Sequence, residues 1–373
     1  MHTRVIKLGR GKNSDQAVKE AAKLLREGGL VGFPTETVYG IAAHAGHEQA
    51  MKKLRALKER PKGQPFTMLI ADKQQVSDYV GELSWPGVGL VQHGWPGPLT
   101  LIFHLGQQHP PAVKNLPADQ IKNLYHRRSI GIRCPEHPVA QKLLREVDFP
   151  VVAPSANRKG QAAAIRGSQV LAELAGELDL VLDAGRCQYG RASTIVEVKR
   201  GQYRIVRQEV LDERIITEMA QMHIMFVCSG NSCRSPMAEG LLRAKLAKKL
   251  HCKPAELVKR GFKISSSGTI GISGVSASEN AIRAAAELGA DIRGHISQGL
   301  NRENIQRADL VLVMSKQHLQ EVLQLVPNAK NKTKYLDPQG DIGDPIGLDL
   351  RSYRKCAARL AKLVDKQLKE LKI

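Results

Sequence analysis

The chain has 373 residues, 42% apolar and 25% charged, which is enough for two domains that each bury a core. Its net charge of +20 is spread over both halves: residues 1–220 hold 31 Lys+Arg against 22 Asp+Glu, and the remainder holds 25 against 14. This charge suits anionic small-molecule substrates and leaves RNA as a partner on charge alone, while 4% aromatics offer little for base stacking. No apolar run has transmembrane length, the first residues lack a signal-peptide core, and six cysteines make no disulfide framework, so a cytoplasmic, non-membrane protein is expected.

In chain order, Asn13-Ser14-Asp15 opens a helix with Val18, Ala21, Ala22, Leu24 and Leu25 on one face, closed by Gly28-Gly29. A strand follows at 30–33, then the loop Pro34-Thr-Glu-Thr-Val-Tyr-Gly40 and a second helix carrying Met51, Leu54 and Leu57. Strands are expected at 63–70, 99–103, 130–133, 151–153, 180–183, 194–198 and 204–206, several alternating with helices. That order predicts an α/β domain with a twisted, mixed sheet. Neither a Walker loop nor Gly-x-Gly-x-x-Gly is present, so a nucleotide would be held differently. Lys58 and Arg60 before one strand, Arg133 at the end of another, and Ser155 and Asn157 after a third supply cations for phosphates and polar groups for orientation.

The stretches Pro34-Thr-Glu-Thr-Val-Tyr-Gly40, Lys58-Glu-Arg-Pro61, Trp95-Pro-Gly-Pro-Leu-Thr100, Gly131-Ile-Arg-Cys-Pro135, Ala153-Pro-Ser-Ala-Asn157 and Ser193-Thr-Ile195 resemble the YrdC-type threonylcarbamoyl-AMP synthases over roughly residues 5–215. The resemblance implies a reaction joining L-threonine, bicarbonate and ATP into threonylcarbamoyl-AMP with release of pyrophosphate, for the modification of adenosine 37 in tRNA. It implies that Lys58, Arg60, Ser155, Asn157 and Arg207 bind ATP, and that Thr35, Arg133 and Ser193 bind threonine. Arg133 would pair with the threonine carboxylate. Mg²⁺ would accompany the ATP, although the sequence shows no acidic cluster to hold it.

Residues 211–223 contain no Gly/Pro linker, and strands are expected next at 223–227, 262–266, 309–314 and 333–336, with helices at 236–250, 276–289, 301–307, 316–324 and 348–371. That is a Rossmann-like doubly wound parallel sheet, with its ligand at the carboxyl ends of the strands. The first of these strands runs into Cys228-Ser-Gly-Asn-Ser-Cys-Arg-Ser-Pro236 and then a helix, with Pro236 as its first residue. Such a loop aims backbone N–H groups and a helix dipole at one spot, which makes an anion cradle.

In this cradle Cys228 is the nucleophile, expected as a thiolate with a pKa lowered from ~8.5 toward ~4. Arg234 offers a fork to two phosphoryl oxygens, and the Ser235 hydroxyl can donate to the sulfur. Ser229, Gly230, Asn231, Ser232 and Cys233 complete the phosphate loop, with Gly230 and Asn231 expected at positive φ. The proton donor is assigned to Asp344 of the Asp344-Pro345 pair, ahead of Asp341 and Asp337.

This second half resembles the low-molecular-weight protein-tyrosine-phosphatase family in its phosphate loop, in Ser266-Ser-Gly-Thr269, in Ala308-Asp-Leu-Val-Leu-Val-Met314 and in Asp344-Pro345. The resemblance implies a phosphorylated protein substrate, a phosphocysteine intermediate and no cofactor. Arsenate reductases of the family need cysteines where this chain has Met314-Ser-Lys-Gln-His318. Ser232, a small hydroxyl residue, fits the protein-arginine phosphatases of the family and favours phosphoarginine over phosphotyrosine, while Ile346 stands where both branches usually carry an aromatic after Asp-Pro. Cys233 either forms a reversible disulfide with Cys228 or fills buried space.

The expectation is therefore a YrdC-like twisted mixed-sheet α/β domain over 1–215 and a doubly wound phosphatase domain over 223–373. Together they form a bifunctional enzyme without a protein-held metal, with tRNA or tRNA-modification proteins as possible partners. Its rival is an RNA-binding YrdC-like module without synthase activity, fused to a tyrosine phosphatase.

Overall fold

Short, β-rich segments in the first half join far-apart parts of the chain into one sheet. The computed structural model describes residues 2–9, 12–61, 63–105, 110, 116–199 and 201–370. The chain divides into two compact units, Met1–Ala220 and Gln221–Ile373. The first is built on ten strands: β1 (Arg4–Lys7), β2 (Val31–Phe33), β3 (Gly40–His44), β4 (Met68–Leu69), β5 (Leu99–His104), β6 (Ser129–Arg133), β7 (Val151–Val152), β8 (Leu180–Asp183), β9 (Thr194–Lys199) and β10 (Gln202–Arg207). Their order in the sheet is β1-β8-β2-β3-β7-β4-β6-β5-β9-β10, with parallel and antiparallel neighbours mixed.

Side chains alternate across a pleated strand, and here the alternation divides the apolar residues between two cores. Leu180 and Leu182 enter one core with Val31, Phe33, Leu69 and Val151, over the helix Lys12–Arg26. Val181 enters the other with Ile41, Met68, Val152, Leu99 and Leu101, over Leu54 and Leu90.

Two expectations change in this unit. The strand foreseen at 63–70 shrinks to Met68–Leu69, because Gly63, Gln64 and Pro65 run as loop. Strands β1 and β3 were not foreseen. The first is an edge strand that is mostly exposed, and the second is a run of small residues, Gly40-Ile-Ala-Ala-His44, whose burial comes wholly from its neighbours.

The second unit holds four parallel strands, β11 (Met222–Cys228), β12 (Phe262–Gly268), β13 (Leu310–Val313) and β14 (Thr333–Tyr335), in the order β12-β11-β13-β14. The chain therefore leaves β11 to one side and later returns on the other, so the end of β11 lies at a topological switch point. Every residue of β11 is buried, as a central strand covered on both faces requires. The last helix, Leu350–Glu370, buries Tyr353, Ala357, Leu360, Val364 and Leu368, a single stripe at helical spacing. Among the described residues no helix is long and apolar enough to cross a membrane.

Candidate active sites

The loop after β11 is tied to the neighbouring strand end by backbone bonds from Thr269 N to Cys228 O (2.9 Å) and from Ile270 N to Ser229 O (3.1 Å). A side chain on Gly268 would stand 2.6 Å from Ser229 O, so the close approach of β12 to the loop depends on that glycine. Asn231 takes the left-handed conformation (φ 53°), as foreseen, whereas Gly230 does not. Cys233 caps the helix Arg234–Lys249, which places Pro236 at its third residue and not its first; the missing N–H is still one that no helical carbonyl would accept.

The side chains form one directed chain of hydrogen bonds. Asn231 Oδ1 accepts from Gln298 N (2.8 Å), so its amide nitrogen faces Ser235 Oγ (2.9 Å) and Ser266 Oγ (2.8 Å) and donates to both. Ser266 in turn donates to Glu239 (2.7 Å). With a lone pair already used by Asn231, Ser235 has its own hydrogen free for Cys228 Sγ at 2.9 Å.

Arg234 is buried beneath this loop. Its Nη1 donates to Ile342 O (3.0 Å) and its Nη2 to Ser229 Oγ (3.0 Å) and the Asp344 carboxylate, while its buried Nε has no protein partner. A buried, unpaired guanidinium N–H is the donor that an incoming oxyanion would satisfy.

The structure separates the three aspartates. Asp344 faces Arg234; Asp341 accepts from Lys316 N (2.9 Å); Asp337 is held by Arg359 (2.9 and 2.6 Å). The two lesser candidates are thus spent on holding the fold. Cys228 is corrected in another respect: it is 2% exposed, and burial pushes its thiol up, against the pull of Ser235, the loop N–H groups and Arg234. Cys233 is a free thiol, 3.3 Å from Tyr353 Oη and 3.4 Å from Ser278 Oγ. Ser232 is half-buried beside it, and the rim of the loop carries exposed Ile270 and Ile346.

In the first unit Lys58 follows the helix Glu48–Leu57, and its Nζ reaches Ser155 O (3.1 Å) and Asn157 Oδ1 (3.1 Å) across the sheet. Ser155 donates to Asn157, whose amide nitrogen is fixed on Arg158 O (2.8 Å) and Gln161 O (2.7 Å). Arg60 stacks over Phe66 at 4.7 Å with its buried Nε unpartnered. Burial, then repulsion from Arg60, brings the Lys58 ammonium down to about 8.

A second group forms around Arg133. Its Nε donates to Gly97 O (3.3 Å) and its Nη2 to Glu36 at 2.6 Å, and Glu36 also accepts from Glu136 N (3.0 Å). Arg207 donates to Ser193 O (2.8 Å), and Ser193 Oγ meets Thr100 Oγ1 at 2.8 Å. Thr35 Oγ1 donates to Val38 O (2.6 Å) within its own loop. That loop adjoins the first group through the bond from Ala156 N to Tyr39 O (2.7 Å).

Sequence reasoning missed Glu36, Glu239, Ser266 and His318. Glu36 carried a signal, as a lone carboxylate inside the uncharged motif 34–40. Among the described residues no group of three or more His, Cys, Asp or Glu side chains could hold a metal ion.

Comparisons with known proteins fall on these same units. The Sua5/YciO/YrdC family model, described as telomere recombination, matches residues 23–209, and the low molecular weight phosphotyrosine protein phosphatase model matches residues 223–373. The threonylcarbamoyl-AMP synthase of Bacillus subtilis is 36% identical over 183 residues, 49% of this chain and 50% of that protein. The chain spans between 48% and 63% of the length of the curated relatives it matches. Sua5 of Pyrococcus abyssi, solved with L-threonine, shares the fold at 21% identity and a TM-score of 0.51, covering 71% of this chain and 92% of that one. The YwlE arginine phosphatase from Geobacillus stearothermophilus is 33% identical, covering 40% of this chain and 93% of that one, with a TM-score of 0.36.

Proposed function

We propose two activities for a chain that belongs, over residues 23–209, to the Sua5/YciO/YrdC family and carries a low-molecular-weight phosphotyrosine protein phosphatase domain over residues 223–373. The first unit makes threonylcarbamoyl-AMP from L-threonine, bicarbonate and ATP, releases pyrophosphate and thereby supplies tRNA modification. The grouping of Lys58 with Ser155 and Asn157, beside the Arg133–Glu36 pair, supports this reading. Lys58 and Arg60 offset the charge that develops on the leaving pyrophosphate, and Arg207 assists. Arg133, with Nη1 still available, receives the threonine carboxylate near Ser193 and Thr35. The RNA-binding rival gains no observation of its own.

The test is pyrophosphate release, expected only when threonine, bicarbonate and ATP are present together; release without threonine would overturn the reading. Lys58 adds a pH signature. It is a cation below about 8 and loses its charge above, so ATP affinity is expected to fall as pH rises through 8 to 9. In Lys58→Arg, which stays charged, that fall should flatten, whatever the change in absolute affinity. Equal pH slopes in the two proteins, measured by ATP titration, would remove Lys58 from the phosphate site.

The second unit hydrolyses phosphorylated protein through a phosphocysteine. The buried, unpartnered Arg234 Nε, in the loop that begins at Cys228, is the observation that carries this. As the substrate enters, the Cys228 thiol passes its proton to the Asp344 carboxylate. The thiolate then attacks phosphorus while the bond to the leaving group breaks. Arg234 and the loop N–H groups hold the equatorial oxygens, and Asp344 hands that proton to the leaving group. Asp344 then takes a proton from water as that water breaks the P–S bond, and Ser235 stabilises the departing thiolate.

Phosphoarginine is favoured because Ser232 is a small hydroxyl residue that leaves room for a planar guanidinium, and the exposed rim residues Ile270 and Ile346 are aliphatic and do not stack on a phenyl ring. Phosphoarginine and phosphotyrosine peptides, compared by phosphate release, should show preference for the first, weakened by Ser232→Ile. Preference for phosphotyrosine would overturn the assignment.

A further inference from the structure

We propose that His318 sets the direction of the Ser229 hydroxyl and through it couples oxyanion binding in the phosphate loop to the uptake of one proton. His318 is a positioning residue here, and the proposal rests on the reading that this loop holds a phosphoryl group.

The ring is 2% exposed and sits between two hydroxyls. Its Nε2 is 2.9 Å from Ser229 Oγ and its Nδ1 is 2.9 Å from Ser315 Oγ. Ser229 Oγ already accepts from Arg234 Nη2 at 3.0 Å, and a guanidinium can only donate. Two arrangements remain. With hydrogen on Nδ1 alone, the ring donates to Ser315, and the Ser229 hydrogen points at Nε2. The hydroxyl then gives nothing to the cradle. With hydrogen on Nε2, the ring donates to the second lone pair of Ser229, and the Ser229 hydrogen is released toward the cradle as one more donor. The imidazolium form enforces this second arrangement while keeping the bond to Ser315.

Charge decides whether the second arrangement is enforced. Burial first, and then the neighbouring Arg234 cation, keep the ring neutral when the cradle is empty. Glu321, one turn along its own helix, and Asp344 and Asp341, from the loop before the last helix, pull the other way. An oxyanion on Arg234 offsets that cation, so the repulsion falls and the protonated ring gains. The proton comes from solvent, the ring donates to Ser229, and Ser229 donates to the anion. By linkage the anion then binds more tightly as pH falls, by at most about tenfold per pH unit for one proton.

Inorganic sulfate is the probe, since it stays a dianion from pH 5 to 8, and Cys228→Ala removes the thiol as a titrating group. In the full-length C228A protein the sulfate Kd, measured by titration calorimetry, is expected to tighten at least threefold more between pH 7.5 and pH 5.5 than in C228A/H318N. Asparagine there can still hydrogen-bond but cannot titrate. Every other group is the same in the two proteins, so the difference between the two slopes isolates the ring. Repeating the C228A titration in buffers of different ionisation enthalpy should show net proton uptake at pH 6.5, a readout that does not depend on the second variant folding. Equal slopes with no proton uptake would overturn the role of His318 and leave the phosphate loop intact. Failure of sulfate to bind at any pH would overturn the phosphate-loop reading and this proposal with it.

Discussion

Replacing Cys228 by alanine is expected to lower phosphate release from an aryl phosphate by on the order of 10⁴-fold or more, while leaving sulfate affinity within about threefold of the unmodified protein. The two effects separate because the groups are separate. The sulfur supplies the bond to phosphorus; affinity comes from the loop N–H groups and from Arg234, which is held by Ile342 O and Ser229 Oγ and makes no hydrogen bond to Cys228.

Asp344→Asn should cost less, about 10²- to 10³-fold, and most for substrates with poor leaving groups, because only the proton transfer is lost. That variant also removes the ion pair on Arg234, so its sulfate affinity should rise if anything. Threonine-dependent pyrophosphate release, carried by the other unit, should be unchanged in both variants. Retention of phosphatase turnover in C228A would mean that another group attacks phosphorus, and Cys233, held against Tyr353 and Ser278, would be examined next.

What could be read in the sequence tracks how far apart the partners lie along the chain. Cys228, Arg234 and Ser235 fall within eight residues between an apolar strand and a helix, so spacing alone described the cradle. The choice of Asp344 over Asp341 depends on which side of one short loop faces Arg234, and no spacing rule states that; the Asp-Pro pair pointed to it through family likeness. Lys58 meets Asn157 across 99 residues; both were marked by their places at strand ends, and it took the resemblance to assign them to one site.

Glu36, Glu239 and His318 act on Arg133, Ser266 and Ser229, which lie 97, 27 and 89 positions away, and of the three only Glu36 carried a local mark, as the one carboxylate of its motif. Two local inferences failed for physical reasons. Gly230 is permitted a left-handed conformation, but the loop needs one such residue and Asn231 supplies it. The cysteine pKa was argued from the dipole and donors alone, whereas a sulfur 2% exposed also loses its hydration.

Arg133→Met is expected to destabilise the first unit by about 3–5 kcal/mol, which is a loss of stability distinct from any loss of threonine binding. Glu36 is 1% exposed and its carboxylate is shared between Arg133 Nη2 and Glu136 N. Without the guanidinium a buried charge keeps a single neutral donor, and removing one partner of a buried pair costs more than the pair contributes. The double variant Glu36→Gln/Arg133→Met carries no buried charge at this point, and its amide oxygen can still accept from Glu136 N. It should therefore recover at least half of the stability that Arg133→Met loses.

Both tryptophans of the chain, Trp85 and Trp95, lie in the first unit, so urea unfolding followed by tryptophan fluorescence reports on that unit alone. Glu36→Gln by itself separates positioning from folding. It keeps one accepting oxygen and turns the other into a donating NH2, so it cannot serve both Glu136 N and Arg133 Nη2. The hold on Arg133 weakens, and the KM for threonine should rise about tenfold with the KM for ATP little changed. If the double variant were as unstable as Arg133→Met, the cost would come from lost packing around the arginine stem, and Glu36 would not be the group that Arg133 neutralises.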